Sequence, residues 1–381
     1  MKQTFFFLVF VSISTISIAQ GTVNTNGSYK NAVSTAVPFL TIGPDARSGG
    51  MGEAGVALSP DANSAYWNPA KLAYVEEPSS ITLSYSPWMR TVFPDVNLAY
   101  LSFFKKLDDR NTIGASLRYF NLGTVNSYDE NVVSLGQLKP NEYSFDVSLA
   151  RKFGEGFSLG LTGRYIHSNI TQGAVVAGVQ TEASNAIAAD VSLYYFKTKS
   201  NGTLSYGVDI SNIGTKMRYG NTGPQYFLPT NLKIGVARTL EIDEFSQFTF
   251  AFDINKLLVP TPPIRDANGN ITAGTDDNRS VVSGIFGSFS DAPGGFSEEL
   301  QEINLSPGME YCFNKTFALR VGYFYENPNK GNRQYTTIGA GVHYSNINFD
   351  FSYLATDSNK SPLANVLRFS LGYNFGAPVK K

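Results

Sequence analysis

The stretch Val366-Leu367-Arg368-Phe369-Ser370-Leu371-Gly372-Tyr373-Asn374-Phe375 alternates strictly between two kinds of side chain. From 367 onwards its odd-numbered positions are leucine, phenylalanine or tyrosine, whereas arginine, serine, glycine and asparagine occupy the even-numbered positions. Successive side chains of a strand point to opposite faces, so this strand has one apolar face and one polar face. Such a strand suits a barrel in a membrane, with lipid outside and water or a polar plug inside.

The same alternation recurs from about residue 81 to residue 375 and predicts fourteen strands, which would form an antiparallel transmembrane β-barrel. Most are longer than a soluble strand of roughly five or six residues, and they match the roughly 9–11 residues of a tilted transmembrane strand. An even number fits a bacterial single-chain barrel and predicts both chain termini on the periplasmic side. The predicted strands are 81–90, 97–107, 111–123, 142–153, 157–170, 186–199, 202–214, 230–240, 245–258, 302–314, 316–326, 335–345, 347–356 and 366–375.

The connections between the predicted strands alternate between short and long. The even-numbered connections are short and are predicted to be periplasmic turns, whereas the odd-numbered ones are longer and are predicted to be extracellular loops. A soluble sandwich or propeller has no reason to alternate in this way. The pattern therefore favours an outer-membrane barrel, and the longest loop is predicted at 259–301.

The polar face of the predicted strands carries ten charged residues, five basic and five acidic. Each Arg or Lys would cost roughly 2–4 kcal/mol at a lipid-facing midplane position, so these side chains are expected to point into the barrel. They could pair there across the lumen or meet a plug, and their balanced signs argue against an ion-selective pore. The ten residues are Arg118, Asp146, Arg164, Asp190, Asp209, Lys233, Asp253, Arg320, Asp350 and Arg368.

The composition and the N-terminus indicate an exported protein. Only 16% of the 381 residues are charged and the formal net charge is −1, which gives no electrostatic case for nucleic-acid binding. Lys2, the apolar stretch 5–18 and Ser17-Ile18-Ala19 have the pattern of a cleaved signal peptide. We predict a signal peptide at 1–19, an N-terminal leader and lumen hatch at 20–78, and the barrel at 79–381, with the flexible leader ending near residue 40.

Three local motifs are better explained by structure than by a cofactor, a metal or catalysis. Gly50-Met51-Gly52-Glu53-Ala54-Gly55 fits a dinucleotide-binding pattern, but an exported barrel lacks the βαβ unit that gives the pattern meaning, so close packing of a plug is expected. Asp266-Ala267-Asn268-Gly269-Asn270 resembles part of a calcium loop but is better interpreted as a hairpin turn. His167 and His343 are too few for a His-based metal cluster, and neither can be matched to a catalytic set. No cofactor and no enzymatic activity are predicted.

The long loop 259–301 contains an unusual number of apolar residues. Loops of this length are usually functional or disordered. An exposed apolar patch often marks an interaction site, so this loop is a candidate partner-binding surface, although it could also fold back over the barrel mouth. The candidate residues are Val281, Val282, Ile285, Phe286, Phe289 and Phe296.

Residues 38–74 resemble a known family of barrels. The pattern Ala-Arg-x-x-x-Met-Gly-x-Ala-Gly-Val-Ala, followed by Asp-Ala and Asn-Pro-Ala-x-Leu, resembles the FadL superfamily, and the fuller string from Pro38 to Gly52 looks like the PorV (LptO) family of Bacteroidetes type IX secretion components. One departure is that residues 376–381 follow Phe375, where such chains typically end at an aromatic residue. The residues that carry the resemblance are Arg47, Met51, Gly52, Gly55, Asn68 and Pro69.

The resemblance implies a fourteen-stranded barrel with a hatch in its lumen and no enzymatic activity. Partners would be the very large translocon barrel, secreted cargo with C-terminal signal domains, and a surface attachment complex containing a sortase-like peptidase. Two alternatives stay open. FadL-like barrels are channels for hydrophobic solutes, with a lateral opening at a strand kink, for which Gly163 and Gly207 are candidates. The alternative family name suggests a lipid A deacylase.

Overall fold

Fourteen strands form one closed antiparallel barrel in the computed structural model, which describes residues 22–23, 29–90, 93–128, 134–176, 179–356, 363 and 365–376. Each strand pairs with the next along the chain, and the last pairs with the first. All fourteen predicted strands are confirmed, with bounds within three residues of those expected. They are β1 (Ser79–Pro87), β2 (Asn97–Lys106), β3 (Asn111–Asn121), β4 (Asn141–Lys152), β5 (Phe157–Asn169), β6 (Ser184–Lys199), β7 (Gly202–Gly214), β8 (Asn231–Glu241), β9 (Ser246–Leu257), β10 (Ile303–Phe313), β11 (Phe317–Tyr325), β12 (Gln334–Tyr344), β13 (Ile347–Ala355) and β14 (Val366–Phe375).

The two faces of the wall have the expected chemistry. Exposed and buried positions alternate along the strands, and the exposed positions are mostly large apolar residues such as Leu161 and Leu319. All ten charged residues that were expected to point inward are buried. A soluble protein would bury the first set and expose the second, so this inversion is the pattern of a barrel surrounded by lipid.

The connections confirm the predicted alternation and give the barrel two unlike ends. Six short connections lie at the end that we call the short-turn mouth, and seven longer ones lie at the long-connection mouth. Asn314 and Lys315, in one short turn, have φ of 51° and 53°, the left-handed backbone that tight hairpins need. The short connections are 107–110, 153–156, 200–201, 242–245, 314–316 and 345–346, and the long ones are 88–96, 122–140, 170–183, 215–230, 258–302, 326–333 and 356–365.

Several short helices and strands are not part of the barrel sheet. The N-terminal residues contain 3-10 helices Pro38–Thr41 and Pro69–Tyr74 and the helices α1 (Ala46–Gly49) and α2 (Ser64–Trp67). The connection 258–302, predicted as a loop, contains the helices α3 (Val281–Gly287) and α4 (Phe296–Gln301), which are too short to give a clear helical period in the sequence. Among the described residues, none of the helices is long and apolar enough to cross a membrane. The described residues also contain four short strand pairs: 22–23 with 29–30, 125–128 with 134–138, 175–176 with 179–180, and 264–265 with 271–273.

The two glycines proposed as kink sites do not interrupt the wall. Gly163 pairs regularly with Val147 and Ala189, and Gly207 pairs with Tyr194 and Gly235. The prediction of a kink at either glycine is therefore wrong, because both strands keep their ladder there. The wall is irregular at two other places. The register between β6 and β7 shifts between Ala189 and Val191, and between β10 and β11 the recorded partners pass from Leu305–Tyr325 directly to Gly308–Gly322. Pro307, which has no N–H to donate, lies in this gap.

Candidate functional site

Residues 31–78, which we call the N-terminal segment, are held together by their own side chains. The Asp45 carboxylate accepts a hydrogen bond from the Trp67 indole nitrogen at 2.5 Å. The Arg47 guanidinium donates to Asp61 Oδ2 at 3.0 Å. These bonds connect α1 to the region around α2, so a sequence without strand alternation folds as a series of compact turns. Asn31, Val37, Phe39 and Leu40 are buried, although a flexible leader was expected to extend to near residue 40. The last three are apolar side chains that belong to a hydrophobic cluster with the wall.

The N-terminal segment contacts inward-facing charges of the wall. Arg368 on β14 forms an ion pair with Glu53 at 2.6 Å, and both side chains are nearly inaccessible to solvent. Asp253 on β9 accepts hydrogen bonds from the backbone N–H groups of Gly55 at 2.7 Å and Val56 at 2.9 Å. A buried charge is tolerated only when it is paired or well hydrogen-bonded. The segment therefore supplies partners that these wall residues need.

A second set of contacts extends across strands β10 to β13. Arg320 donates to Glu310 at 2.7 Å and to Asp350 at 2.6 Å, and Arg47 lies 3.5 Å from the same Glu310 carboxylate. The predicted hatch residue Arg47 thus joins an ion network with the wall. The sequence analysis missed Glu310 and Glu53. Glu310 shares the even-numbered positions of the buried Ser306, so its inward position could have been predicted from strand parity.

Two cationic side chains of the wall lie against an aromatic ring of the N-terminal segment. The Arg118 guanidinium lies 4.3 Å from the centre of the Tyr66 ring and donates to the Leu40 carbonyl oxygen at 2.9 Å. The Lys233 ammonium lies 4.4 Å from the same ring and 3.6 Å from Asp209 on the neighbouring strand. A cation over an aromatic face is stabilised by the ring quadrupole, most strongly where water is excluded.

Small residues let the N-terminal segment approach the wall backbone closely. Met51 is fully buried, and Gly52 adopts φ of +71°. A Cβ atom on Gly52 would come within 2.5 Å of the Tyr323 nitrogen and 2.9 Å of the Pro307 oxygen, at the place where the β10–β11 pairing lapses. A Cβ on Gly55 would collide with the Trp67 ring. The glycine pattern therefore serves close packing, in agreement with the sequence analysis.

The predicted residues Asn68 and Pro69 form another attachment to the wall. The Asn68 amide donates to Leu193 O at 2.9 Å and to Val56 O at 3.0 Å, while its oxygen accepts from Ala70 N at 3.1 Å. Pro69 begins the second 3-10 helix, where its missing N–H costs nothing. All six predicted hatch residues thus lie in one folded segment, although Arg47, Gly52 and Asn68 contact different strands.

A cavity lies between the N-terminal segment and the wall. This cavity of about 80 Å³ lies near the long-connection mouth and is lined by residues that include Trp67, Trp88 and Tyr335. Ligand pockets of proteins usually measure roughly 300–1,000 Å³. This cavity is therefore too small for a fatty acid or an aromatic solute of drug-like size.

Some inward charges pair entirely within the wall. Arg164 on β5 bridges Asp146 on β4 at 2.7 Å and Asp190 on β6 at 2.8 Å, and it also donates to the Asn212 side-chain oxygen. All three charged side chains are buried. The inner face thus contains ion pairs of two kinds, those within the wall and those that include the N-terminal segment.

The connection 258–302, which we call the long connection, is anchored at its base by five charged side chains. The Lys256 ammonium lies 2.6 Å from Glu302 and 3.0 Å from Glu299. The Lys330 ammonium, from connection 326–333, lies 2.9 Å from Glu302 and 2.5 Å from Glu298. Burial opposes the charge of Glu302, but Lys330 and Lys256 lower the pKa of its carboxyl below the ordinary value. The base is therefore an ordered part of the fold.

The opposite side of the long connection is apolar and exposed. Phe286 on α3 and Phe296 on α4 are each 75% exposed, and Val282, Phe289 and Leu300 are exposed as well. Val281 and Ile285, also predicted as contact residues, are half-buried. Gly284 packs against Phe227 of connection 215–230. The long connection thus packs against neighbouring connections on one side and leaves phenylalanines free on the other.

The Asp266 motif and the side chains of His167, Ser168 and His343 make the following contacts. Asp266 caps a tight turn by accepting from the backbone N–H groups of Asn268 and Asn270, and Gly269 has φ of +85°. Ser168 is buried and donates to Glu142, while His167 on the other face contacts Asn185, so the two adjacent side chains do not meet. The His343 ring lies 3.8 Å from Asp350. No group of three or more His, Cys, Asp or Glu able to hold a metal occurs in the described part of the chain.

Comparisons with known proteins complete the description. The model of the family described as "Type IX secretion system protein PorV" matches residues 25–264. No curated protein sequence matches the chain. Among solved structures the chain is similar to the P. putida toluene transporter TodX, with 12% identity over 88% of this chain and 99% of that chain and a TM-score of 0.52. A TodX deltaS2S3 mutant, a monoaromatic hydrocarbon channel, is 12% identical over 87% of this chain and 99% of that chain, with a TM-score of 0.51. A Pseudomonas aeruginosa FadL homologue is 11% identical over 91% of this chain and 100% of that chain, with a TM-score of 0.45. At these identities the likeness shows the fold alone.

Proposed function

The chain belongs to the PorV family of type IX secretion system proteins, and from this premise we propose that it binds the translocon and carries cargo to the surface attachment complex. It is an outer-membrane barrel with a FadL-like fold. In this proposal the cargo carries a C-terminal signal domain, and the attachment complex contains a sortase-like peptidase. The last strand, β14, ends beside Ser79 at the short-turn mouth, which is the periplasmic mouth in this proposal.

The observation that carries the proposal is the exposed apolar side of the long connection. Phe286 and Phe296 are the most exposed aromatic side chains of this region. Fully burying a phenylalanine stabilises a complex by roughly 1.5–3 kcal/mol, so an ordered surface with several such side chains suits binding to another protein. The charged base supports this role because it fixes the helices before a partner arrives.

The N-terminal segment has a different role in this proposal. It is a lumen plug, supported by its ion pairs and backbone contacts with the wall on β9, β10 and β14. A plugged barrel would act as a scaffold and shuttle rather than as a pore or an enzyme. The FadL-like fold keeps a hydrophobic-solute channel as the second candidate, although the cavity of about 80 Å³ is itself too small to be its ligand pocket. For the deacylase alternative, His167 and Ser168 point to opposite faces and therefore do not form a catalytic pair.

Affinity purification from solubilised outer membranes tests the proposal. The double variant Phe286→Ser/Phe296→Ser should recover at least about tenfold less translocon and cargo than the unchanged chain, because each truncation at a binding hot spot costs roughly 2 kcal/mol. The matched control is Phe153→Ser, an exposed phenylalanine in a short turn at the opposite mouth. Undiminished recovery with the double variant would refute the assignment of this surface.

A further inference from the structure

The beginning of the N-terminal segment contacts three long connections. The Asn31 side-chain amide donates to Pro262 O at 2.5 Å, in connection 258–302. The Lys330 ammonium, in connection 326–333, donates to Asn31 O at 3.0 Å. The Ala36 backbone N–H donates to Phe227 O at 2.8 Å, in connection 215–230. Residues 31–36 therefore lie at the long-connection mouth.

The end of the same segment contacts the opposite mouth. The Tyr74 hydroxyl donates to Gly154 O at 2.7 Å, in the short turn 153–156. Lys106, the last residue of β2, donates from its side chain to Glu76 O at 2.8 Å and from its backbone to Pro78 O at 2.8 Å. Residues 74–78 therefore lie at the short-turn mouth, beside the first residue of β1.

We infer that the chain enters the lumen at the long-connection mouth, crosses it and leaves at the short-turn mouth. Asn31 and the residues that follow it to Ala36 then share the extracellular surface with the long connection. Lys330 joins the two regions directly, because its ammonium donates to Asn31 O and pairs with Glu298 and Glu302. A partner that binds the long connection would therefore also meet the start of the N-terminal segment.

This inference changes one expectation from the sequence. Both termini were predicted on the periplasmic side, whereas this inference places the start of the N-terminal segment, at Asn31, on the extracellular side. Phe375 pairs with Ser79, next to Pro78 at the short-turn mouth. Asn31 and Phe375 consequently lie at opposite mouths of the barrel. The inference does not depend on the proposed secretion role, since it rests on contacts within the chain.

Cysteine labelling in intact cells tests the inference in a host that lacks a type IX system. The native Cys312 is first replaced in the variant Cys312→Ser. Single cysteines are then introduced as Ser34→Cys, as Ser283→Cys on α3, and as Ser200→Cys in a short turn, all at exposed positions. A membrane-impermeant maleimide should label S34C and S283C to within about twofold of each other. S200C should react at least about tenfold more after the outer membrane is permeabilised.

Two results would overturn the inference. The first is that S34C, like S200C, reacts only after the outer membrane is permeabilised. The second is no labelling of S34C under either condition, since the residue would then not lie at a mouth. Ala32→Cys provides an independent position, because Ala32 is also exposed and lies at the same mouth. If the S34C variant fails to assemble, A32C is labelled in its place and the same two results would overturn the inference.

Discussion

The N-terminal segment and the long connection both interrupt the strand pattern, but they use their side chains in opposite ways. The first is buried over most of its length and brings Glu53 and Arg47 to charged wall residues. The second buries its charges at the base and exposes phenylalanines on α3 and α4. This contrast indicates that the segment stabilises the barrel, whereas the long connection is available for binding. Four predictions test the division, ordered by the expected loss of barrel stability.

The largest effect is expected from Arg368→Met, which leaves Glu53 buried without its cation. Removing one member of a buried ion pair costs roughly 3–5 kcal/mol, because the remaining charge is uncompensated. Urea unfolding in detergent, followed by tryptophan fluorescence, measures the loss. The double variant Glu53→Gln/Arg368→Met should regain part of it, since no isolated charge remains. If the double variant lost as much unfolding free energy as Glu53→Gln and Arg368→Met lose together as single variants, the two side chains would not be coupled.

Gly52→Ala should cost roughly 2–3 kcal/mol. The substitution forces an L side chain into left-handed backbone and places a Cβ atom against the backbone of Tyr323. The matched control Gly154→Ala adds its Cβ where nothing lies within 4 Å and should change stability by less than about 0.5 kcal/mol. Equal unfolding midpoints for the two variants would contradict the close approach of the segment to the wall.

Glu302→Gln should weaken the base of the long connection by roughly 1–3 kcal/mol near neutral pH, because it removes a charged partner of Lys256 and Lys330. The pKa of this carboxyl is lowered in the folded protein, so its stabilising contribution is present above the ordinary value of 4.5 and is lost as the pH falls through the folded value. Thermal unfolding midpoints of the variant and the unchanged chain should therefore converge at acidic pH. A constant difference from pH 7 to pH 3 would exclude this carboxyl as the cause.

Phe286→Ser/Phe296→Ser should change the free energy of unfolding by less than about 0.5 kcal/mol, the smallest effect of the four. Both side chains are 75% exposed, so little packing is lost. The same variant is expected to lose most partner recovery. A clear fall in stability would mean that the phenylalanines support the fold, and the contrast between the two regions would disappear.

Local alternation was sufficient to predict the wall. The inward position of Arg164 and Arg320 follows from strand parity, because the period of two is set by each strand alone. The ion-pair partners of the inward-facing arginines could be inferred only where they lie on a neighbouring strand. Asp146 and Asp190 lie on neighbouring strands, whereas Glu53 and Arg368 are separated by most of the chain, and no short-range pattern connects them.

The two interruptions were predicted less completely than the wall. The small residues from Gly50 to Gly55 indicated close packing, but not the position of Gly52 in the gap between β10 and β11. The apolar residues around Phe286 indicated either a contact surface or a cover for the mouth. The structure combines features of both, since Gly284 packs inward on Phe227 while Phe286 points outward. Helices as short as α3 depend on such tertiary contacts rather than on sequence propensity.

The pairing of β14 with β1 has a consequence for the order of assembly. Seven residue pairs, from Phe375–Ser79 to Phe369–Tyr85, join the two ends of the barrel sequence. Contacts between such distant parts of a chain form late, because closing a long loop costs entropy before the contacts compensate for it. A segment that crosses the lumen must already lie against the open, curved sheet when this last pair forms. We therefore expect a cysteine in the buried part of this segment, introduced as Ser48→Cys, to become protected from alkylation no later than pulse-labelled chains acquire the compact, heat-modifiable barrel form. Protection that follows closure would contradict this order.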